Sequence, residues 1–441
     1  MQGLIMAAQL IAGISILVIL HELGHYLAAR AFGIKVEKFY LFFDAWGKKI
    51  YSKKIGDTEW GIGWLPLGGY VKIAGMIDES MDKEAMKLPA ESWEFRSKPA
   101  WQRLIVMIGG VVMNILTGIF IFAMITYHYG EKSLLNSSVQ HGIVPSKYAE
   151  EIGFKLGDKI VSVNGKEIKY FTDALDIDAI LGEKTVYQID RNGEKVEIKL
   201  PQNFIKRFSE EEKDNFLSPR QAFFVGQVVP NNGAEKAGIK TDDRIIAVDT
   251  NSFQFFDEFQ KLLKQHADSK TTFTLLRGTD TVKVDVAVDK DGKIGIGIGS
   301  NDLAFDSIQY GFFQSIPMGA KKAAATISLQ IKGWGKIFNG DIPANKAVQG
   351  PIGIAKFYGG EWIWSRFWLF TALISLGLAF MNILPIPALD GGHVVLLLIE
   401  MIIGRPLSDK WMERIQTVGM VILLSLMVLI FGNDIFQLIF K

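Results

Sequence analysis

An apolar run of membrane-spanning length lies near the N-terminus and leads into two histidines and a glutamate. Residues 4–20 carry one side-chain amide, that of Gln9, and no charge. A run of this length and composition predicts a transmembrane helix. The same helix would continue through His21, Glu22 and His25. Ionisable groups inside a membrane helix are energetically costly, and they therefore indicate a functional site.

The spacing of these three residues predicts a metal centre. Side chains four residues apart lie on one face of a helix, so His21 and His25 can offer two imidazole nitrogens to one metal ion. Glu22 follows the first of them and can act as a general base on a water molecule. This H-E-x-x-H arrangement is typical of zinc hydrolases. The chain has six histidines, so a chance occurrence inside a membrane helix is uncommon.

The composition indicates a chain that is part membrane and part soluble. The 441 residues are 49% hydrophobic, with a mean hydropathy of +0.20, which predicts a few spans and one or two soluble domains. The net charge of +1 gives no indication of a nucleic-acid partner. Without cysteine, the metal ligands must be His, Asp or Glu. The N-terminal run lacks a basic n-region and an A-x-A site, so we expect a retained helix.

A second apolar segment, residues 101–127, predicts a second span. Gly109, Gly110 and Gly118 would allow a neighbouring helix to approach closely. Asn114 lies in the middle of this span. The residues alone leave two roles open for it: a structural hydrogen bond between helices, or a polar group that faces the functional site.

A third span, predicted over residues 364–384, is interrupted by prolines. Pro385 and Pro387 each remove a backbone donor and break the helix at membrane depth. Asp390 follows the break, where an unpaired carboxylate would be costly, so we expect it to be the third metal ligand. A helix N-cap or an ion-pair partner are the alternatives. His393, one turn further on, is expected to support the site or simply to pack.

The last span is predicted over residues 420–440, with Asn433 and Asp434 expected to form an interfacial kink. Lys and Arg are concentrated in the segments 31–100 and 405–415, and the positive-inside rule therefore places both segments in the cytoplasm. Both termini and the long segment between the second and third spans would then lie on the extracytoplasmic side.

The segment after the first span contains two β-type runs, over residues 48–55 and 59–73. The turn signal Gly56-Asp57 follows the first run, and one or two hairpins are predicted. Such a hairpin can simply cap the membrane domain. Alternatively, one of its strands forms an edge that pairs with an extended substrate peptide.

A repeat with an offset of 85 residues lies between the second and third spans. The sequence that begins at Ala149 matches the one that begins at Ala234, so that Asp158, for example, corresponds to Asp243. Two similar β-rich modules follow from this. Their G-x-K-x-G-D pattern resembles PDZ domains, which bind peptides as an added strand. Spacer modules without a ligand are the alternative.

The predicted fold class is a polytopic α-helical membrane protein with about four transmembrane helices, a cytosolic-side β-hairpin and two inserted PDZ-like β-rich domains. An amphipathic stretch after the modules predicts a helix on the membrane surface or an ordinary packing helix. The predicted segments are a first span with H-E-x-x-H (1–32), a loop with a membrane-associated hairpin (33–100), a second span (101–128), PDZ-like modules (129–220 and 221–303), an amphipathic segment (304–360), a third span with LDGG (361–404), and a loop with a fourth span (405–441).

Together, HELGH, NILPIPALDGG and the tandem modules resemble the site-2 protease family of intramembrane metalloproteases over nearly the whole chain. The resemblance implies that His21, His25 and Asp390 hold zinc and that Glu22 is the general base. It also implies that the 60–73 region aligns the substrate as a strand, and that Asn382 binds an unwound substrate segment. The resemblance also implies a substrate-binding role for Asn114, on a weaker match than that of Asn382.

The resemblance further implies the partners and the cellular setting. Substrates would be single-span membrane proteins, such as an anti-sigma factor already cut by another protease, in the lipid bilayer of a bacterial inner membrane. The PDZ-like modules would lie on the extracytoplasmic side, where they would screen substrates or bind peptide ligands. No nucleic-acid partner is expected.

Two other functions remain open from the sequence. A different membrane metallopeptidase would complete H-E-x-x-H with a glutamate, and Glu361 and Glu400 flank the third span most suitably. A membrane-anchored PDZ adaptor with a vestigial metal site would not be an enzyme. An intact Glu22 argues against the adaptor, because a purely structural site needs no base and is usually closed by four protein ligands.

Overall fold

The structure is a computed structural model. It describes residues 2–76, 89–175, 185–202, 204–211, 215–229, 232–341, 349–405, 407 and 409–440. These residues form two compact units, one from Met1–Gly130 with Gln309–Lys441 and one from Glu131–Ile308.

The helices are α1 (Gln2–Ala31), α2 (Ala100–Tyr129), α3 (Lys147–Ile152), α4 (Phe204–Glu211), α5 (Gly233–Lys236), α6 (Phe256–Gln265), α7 (Phe312–Phe338), α8 (Pro351–Tyr358), α9 (Trp364–Ile383), α10 (Asp390–Ile403) and α11 (Asp409–Phe440). The strands are β1 (Val36–Phe43), β2 (Lys49–Ile55), β3 (Thr58–Gly63), β4 (Leu65–Ile73), β5 (Glu131–Leu134), β6 (Ile143–Pro145), β7 (Lys159–Val163), β8 (Lys166–Glu167), β9 (Val186–Arg191), β10 (Glu194–Lys199), β11 (Leu217–Pro219), β12 (Phe224–Val228), β13 (Arg244–Val248), β14 (Asn251–Ser252), β15 (Lys270–Arg277), β16 (Asp280–Ala287), β17 (Ile296–Gly299) and β18 (Phe305–Ile308). Short 3₁₀ turns lie at Ala45–Gly47, Phe95–Ser97, Asn136–Ser138 and Phe171–Leu175.

Four helices among the described residues are long and apolar enough to cross a membrane, which confirms the predicted number. Their apolar segments are Gln2–Ala31, Ala100–Tyr129, Trp364–Ile383 and Arg414–Gly432. The fourth begins earlier than expected, because the helix already starts at residue 409.

The kink expected near the end of the last span is wrong. The helix α11 continues through Asn433 and Asp434 without interruption. Asp434 is 7% exposed, and it accepts hydrogen bonds from the backbone N–H groups of Gly350 (3.2 Å) and Ile352 (2.8 Å). Its carboxylate therefore satisfies free donors at the first turn of α8, where the helix dipole also favours a negative charge.

The helix break at the two prolines is confirmed, and it divides the predicted third segment (361–404) into two helices. The third span, α9, ends at Ile383, and α10 begins at Asp390. The 14 residues of α10 rise only about 21 Å, less than the thickness of the hydrocarbon core. A Cβ on Gly392 would lie 2.6 Å from the carbonyl oxygen of Ile386, so a side chain here would obstruct the folded-back loop.

The first two spans touch through glycine. A Cβ on Gly109 of α2 would lie 2.6 Å from the backbone oxygen of Gly24 on α1. The close approach expected from the small residues of α2 is therefore present, and it is made with the helix that carries H-E-x-x-H.

The segment between the first two spans forms one four-stranded sheet in the order β2-β3-β1-β4. The hairpin of β2 and β3 around Gly56-Asp57 is confirmed. However, β4 does not pair with β3, as a second hairpin would require. It pairs antiparallel with β1, which the sequence analysis did not predict, in a register that places Phe39 opposite Val71. Among the described residues β4 has no partner on its other side, so it is an edge strand.

The second unit contains the two repeated modules, each with its own hydrophobic core. The sheet order β10-β9-β7-β8 of the first module is equivalent to that of the second module, β14-β13-β15-β16, when the second is read in reverse. A bidentate pair repeats as well: Arg191 binds Asp158, and Arg277 binds Asp243. The repeat in the sequence is therefore a repeat in topology.

The amphipathic helix α7 packs against α2, which favours the packing alternative. A Cβ on Gly319 would lie 2.6 Å from the backbone nitrogen of Ala123, and Lys322 Nζ donates a 2.8 Å hydrogen bond to Thr126 Oγ1. The remaining surface of α7 still exposes Phe313 at 82%.

Candidate metal centre

Three potential metal donors converge between α1 and the start of α10. His21 Nε2 lies 3.2 Å from His25 Nε2 and 3.2 Å from Asp390 Oδ2, and His25 Nε2 lies 3.4 Å from the same oxygen. Zinc bonds of 2.0–2.1 Å in a tetrahedron give a separation between ligand atoms of about 3.3 Å. The three atoms therefore fit three corners of a zinc tetrahedron, and their chemistry, two imidazoles and a carboxylate, suits this metal.

Helix geometry and the chain break explain this convergence. The four-residue spacing places both imidazoles on one face of α1, with their rings edge to face and their centroids 4.8 Å apart. Asp390 is the first residue of α10, and Leu389 is the N-cap. The N-cap alternative for Asp390 is therefore not what the structure shows.

The second span, α2, contacts the Nδ1 atoms of both histidines. The backbone oxygen of Val106 lies 2.8 Å from His25 Nδ1, and the side-chain nitrogen of Asn114 lies 3.1 Å from His21 Nδ1. Gly110 lies between these two contacts, one helical turn from each. A histidine that binds a metal through one nitrogen usually makes a hydrogen bond through the other. Sequence reasoning missed Val106, since a backbone carbonyl leaves no signal in a sequence.

Glu22 faces a groove that runs along the edge strand β4. The groove has a volume of about 550 Å³, and its lining includes His21, Glu22, Asp390 and residues of β4 such as Gly69 and Tyr70. Val71 of this strand lines the groove together with Glu22. The expected general base therefore lies beside both the metal donors and an open groove.

Asn382 lies on the metal-facing side of His21. Its side-chain nitrogen is 3.3 Å from His21 Nε2 and 3.4 Å from Asp390 Oδ2. Two of the residues predicted to bind substrate are thus near one imidazole, but they touch different nitrogens of it.

The glutamates of the alternative metallopeptidase lie elsewhere. Glu400 forms a buried ion pair with Arg103. The backbone oxygen of Glu361 is within reach of Gln9, which is twelve residues, or about 18 Å along the helix, from His21. The structure thus offers Asp390, and neither glutamate, to the two histidines. His393 contacts Gln416 through its ring nitrogen (2.8 Å), and the donor cluster among the described residues consists of His21, His25 and Asp390.

Sequence reasoning also missed a polar cluster at the mouth of the groove. Lys38 Nζ donates to Asp44 Oδ2 (2.9 Å), and the Tyr70 hydroxyl donates to Asp44 Oδ1 (2.8 Å). Burial raises the pKa of Asp44, but the hydrogen bonds from Lys38 and Tyr70 outweigh it, so the pKa is lowered overall. The sequence signal that could have revealed this cluster is Asp44, a carboxylate directly after the aromatic strand β1.

Fold and site together define a class: a membrane-spanning chain whose first helix carries H-E-x-x-H beside a carboxylate from a separate helix is a membrane-embedded metallopeptidase. The family model of peptidase family M50 matches residues 9–426, and the chain belongs to this family, that of the site-2 proteases. The protein is accordingly a metalloprotease of the site-2 type with zinc as its cofactor.

Relatives match the chain over almost its full length. The regulator of sigma E protease of Haemophilus influenzae is 32% identical, and the alignment covers 97% of this chain and 98% of that protein. The regulator of sigma-E protease RseP of Escherichia coli is 29% identical, with 98% of each chain covered. A protein of Neisseria meningitidis named as a zinc metalloprotease is 30% identical, with 97% and 98% covered.

Proposed function

We propose that the protein is an intramembrane endopeptidase that cleaves single-span membrane proteins within their transmembrane segments. The observation that carries this proposal is the triangle of His21 Nε2, His25 Nε2 and Asp390 Oδ2, which lies beside Glu22 and opens onto the groove along β4. These three residues would hold zinc and leave one coordination position open, as catalytic zinc sites do.

Glu22 performs the proton transfers of peptide hydrolysis. When bound, zinc lowers the pKa of water towards about 7 and polarises the scissile carbonyl group. Glu22 accepts a proton from the attacking water as the new C–O bond forms. It then donates this proton to the nitrogen of the peptide bond that breaks, which leaves as an amine.

A substrate helix must unwind before it can be cut, because its backbone groups are hydrogen-bonded to each other. Each group left unsatisfied in lipid would cost several kcal/mol. The free edge of β4 offers backbone donors and acceptors to an extended segment, which would add to the sheet as a further strand. The amide of Asn382, on the metal-facing side of His21, is placed to hydrogen-bond the unwound segment.

The site lies at membrane depth. His21 precedes the end of α1 at Ala31 by ten residues, or about 15 Å, whereas the hydrocarbon core is about 30 Å thick. The concentration of Lys and Arg in residues 31–100 supports a cytoplasmic position for the sheet. Both termini and the repeated modules then lie on the extracytoplasmic side of a bacterial inner membrane.

The relatives named as regulators of sigma E point to a role in signalling. We propose that the substrate is an anti-sigma factor that another protease has already shortened. The two modules would then act as PDZ-like domains that exclude substrates with bulky extracytoplasmic domains, or that bind a peptide as an added strand. Their equivalent strand orders support a common, duplicated domain type.

The test is cleavage of a tagged single-span substrate without an extracytoplasmic domain by the purified full-length protein in detergent. Wild type, Glu22→Gln and wild type with a zinc chelator are compared, and bound zinc is measured in each sample. We expect cleavage by wild type alone, with zinc retained in Glu22→Gln. Zinc binding without cleavage of several such substrates would contradict the proposal and favour the membrane-anchored adaptor.

A further inference from the structure

The two asparagines near the metal centre lie on opposite sides of the His21 ring. Asn382 approaches Nε2, the atom directed at Asp390, at 3.3 Å. Asn114 approaches Nδ1, the atom directed away from the groove, at 3.1 Å. A residue behind the imidazole cannot touch a substrate that lies in front of it, so the two amides have different tasks.

Asn114 is held firmly in the interior. It is 0% exposed, and the Ser375 hydroxyl of α9 donates a 2.8 Å hydrogen bond to its backbone oxygen. Its Oδ1 is buried and has no hydrogen-bond partner among the residues that the structure describes. A buried amide oxygen without a partner costs about 1–3 kcal/mol, so an unused acceptor here calls for an explanation.

The chemistry of imidazole supplies one. Neutral histidine carries one proton, on either Nδ1 or Nε2. If Nε2 is to bind zinc, the proton must be on Nδ1, and Nδ1 then needs an acceptor. With its nitrogen towards Nδ1, the Asn114 amide matches the other tautomer, in which Nε2–H donates to Asp390. A half-turn of the amide presents Oδ1 to Nδ1–H without any change of shape.

We propose that Asn114 is a positioning residue for the zinc ligand His21 and does not bind substrate. When His21 Nε2 binds the metal, Asn114 Oδ1 accepts a hydrogen bond from His21 Nδ1–H. This inference rests on the proposed function, because it assumes that His21 is a zinc ligand. Val106 serves His25 through a backbone oxygen, which is always an acceptor. Asn114 differs in that its side chain can satisfy either tautomer, in the presence or absence of metal.

The experiment measures the zinc dissociation constant of the full-length protein in detergent by chelator competition, together with kcat and KM. Asn114→Leu removes the acceptor and keeps a side chain that branches at Cγ, and Asn114→Asp keeps an acceptor. Thr117→Val is the matched control, because Thr117 is a buried polar residue of the same helix. Within the described part of the chain, its hydroxyl donates a hydrogen bond only to the Met113 carbonyl. His21→Ala reports on the ligand itself.

We expect Asn114→Leu to weaken zinc binding by roughly 10- to 100-fold and to lower kcat with little change in KM. Asn114→Asp should restore most of the affinity, and Thr117→Val should bind zinc like wild type. A carboxylate in place of the amide can still accept the Nδ1 proton, which makes this rescue specific for the acceptor.

Several results would overturn the inference. They are wild-type zinc affinity with a raised KM in Asn114→Leu, equal losses in Asn114→Leu and Thr117→Val, or no rescue by Asn114→Asp. If His21→Ala abolishes zinc binding in that case, the proposed ligand set survives and only the role of Asn114 is refuted. If His21→Ala also keeps its zinc, the proposed function fails together with the inference.

Discussion

Gly110 is the position at which a single methyl group should most directly damage the metal centre. It lies on α2, against the rings of both histidines. A Cβ at this position would lie 2.5 Å from His21 Cε1 and closer still to His25 Nε2. Carbon atoms pack at about 3.5–4.0 Å, so Gly110→Ala must push the His21 ring away by about 1 Å. That shift is about half the length of a zinc–nitrogen bond.

The expected loss follows from this displacement. A misplacement of about 1 Å can lower catalysis by roughly 100-fold, or about 2.7 kcal/mol of transition-state stabilisation. Zinc affinity should fall as well, because both imidazoles would leave positions that match the tetrahedron. Overpacking should also lower the free energy of unfolding by about 1–3 kcal/mol.

The matched control is Gly118→Ala, eight residues further along the same helix, or about 12 Å. A Cβ there would lie 2.6 Å from Leu376 Cδ2, a comparable overlap far from the donors. Cleavage of the single-span substrate, bound zinc and thermal unfolding are measured for both variants. The reasoning is refuted if Gly110→Ala keeps zinc and cleaves within about threefold of wild type, or if both variants lose zinc equally.

Three further predictions concern the metal, the repeated modules and the last helix. Zinc at about 100 times its dissociation constant should raise stability by about 2.7 kcal/mol in wild type and in Glu22→Gln but not in His25→Ala, as measured by thermal unfolding with and without chelator. The hydrogen bond from Arg277 lowers the pKa of Asp243, so the stability that this carboxylate contributes is present above its unfolded pKa of about 3.9 and is lost as pH falls through the lowered value. Acid should therefore destabilise the second module more in wild type than in Asp243→Asn, and equal acid sensitivity would contradict this. Asp434→Ala should lower the free energy of unfolding by about 1–3 kcal/mol with unchanged zinc affinity, because buried N–H groups of α8 lose their acceptor; no change in the unfolding midpoint would exclude that role.

Much of the fold was predictable from local patterns. Four spans, the break at Pro385 and Pro387, the hairpin around Gly56-Asp57 and the duplicated module each depend on residues that are close in sequence or identical in pattern. Periodicity, chain stiffness and repetition act over short distances, and a single sequence therefore reveals them.

The pairing of strands that are distant in the chain was harder to predict from the sequence. The strand β1 was missed, and so was its pairing with β4. The edge position of β4 is nevertheless what makes the groove available to an extended peptide. Several strand orders satisfy the same alternation of side chains, and only tertiary packing selects among them. The bounds of the last span shifted for a related reason, since a helix end depends on its capping contacts.

The candidate site divides in the same way. That His21 and His25 share a helix face, with Glu22 next to the first of them, follows from the sequence alone, because a helical repeat of 3.6 residues fixes that relation. The approach of Asp390 to both imidazoles, and the positions of Asn382 and Asn114 on opposite sides of one ring, result from the packing of the helices. These contacts join side chains 93 to more than 360 positions apart, and no local rule fixes such distances, because they depend on how the helices pack.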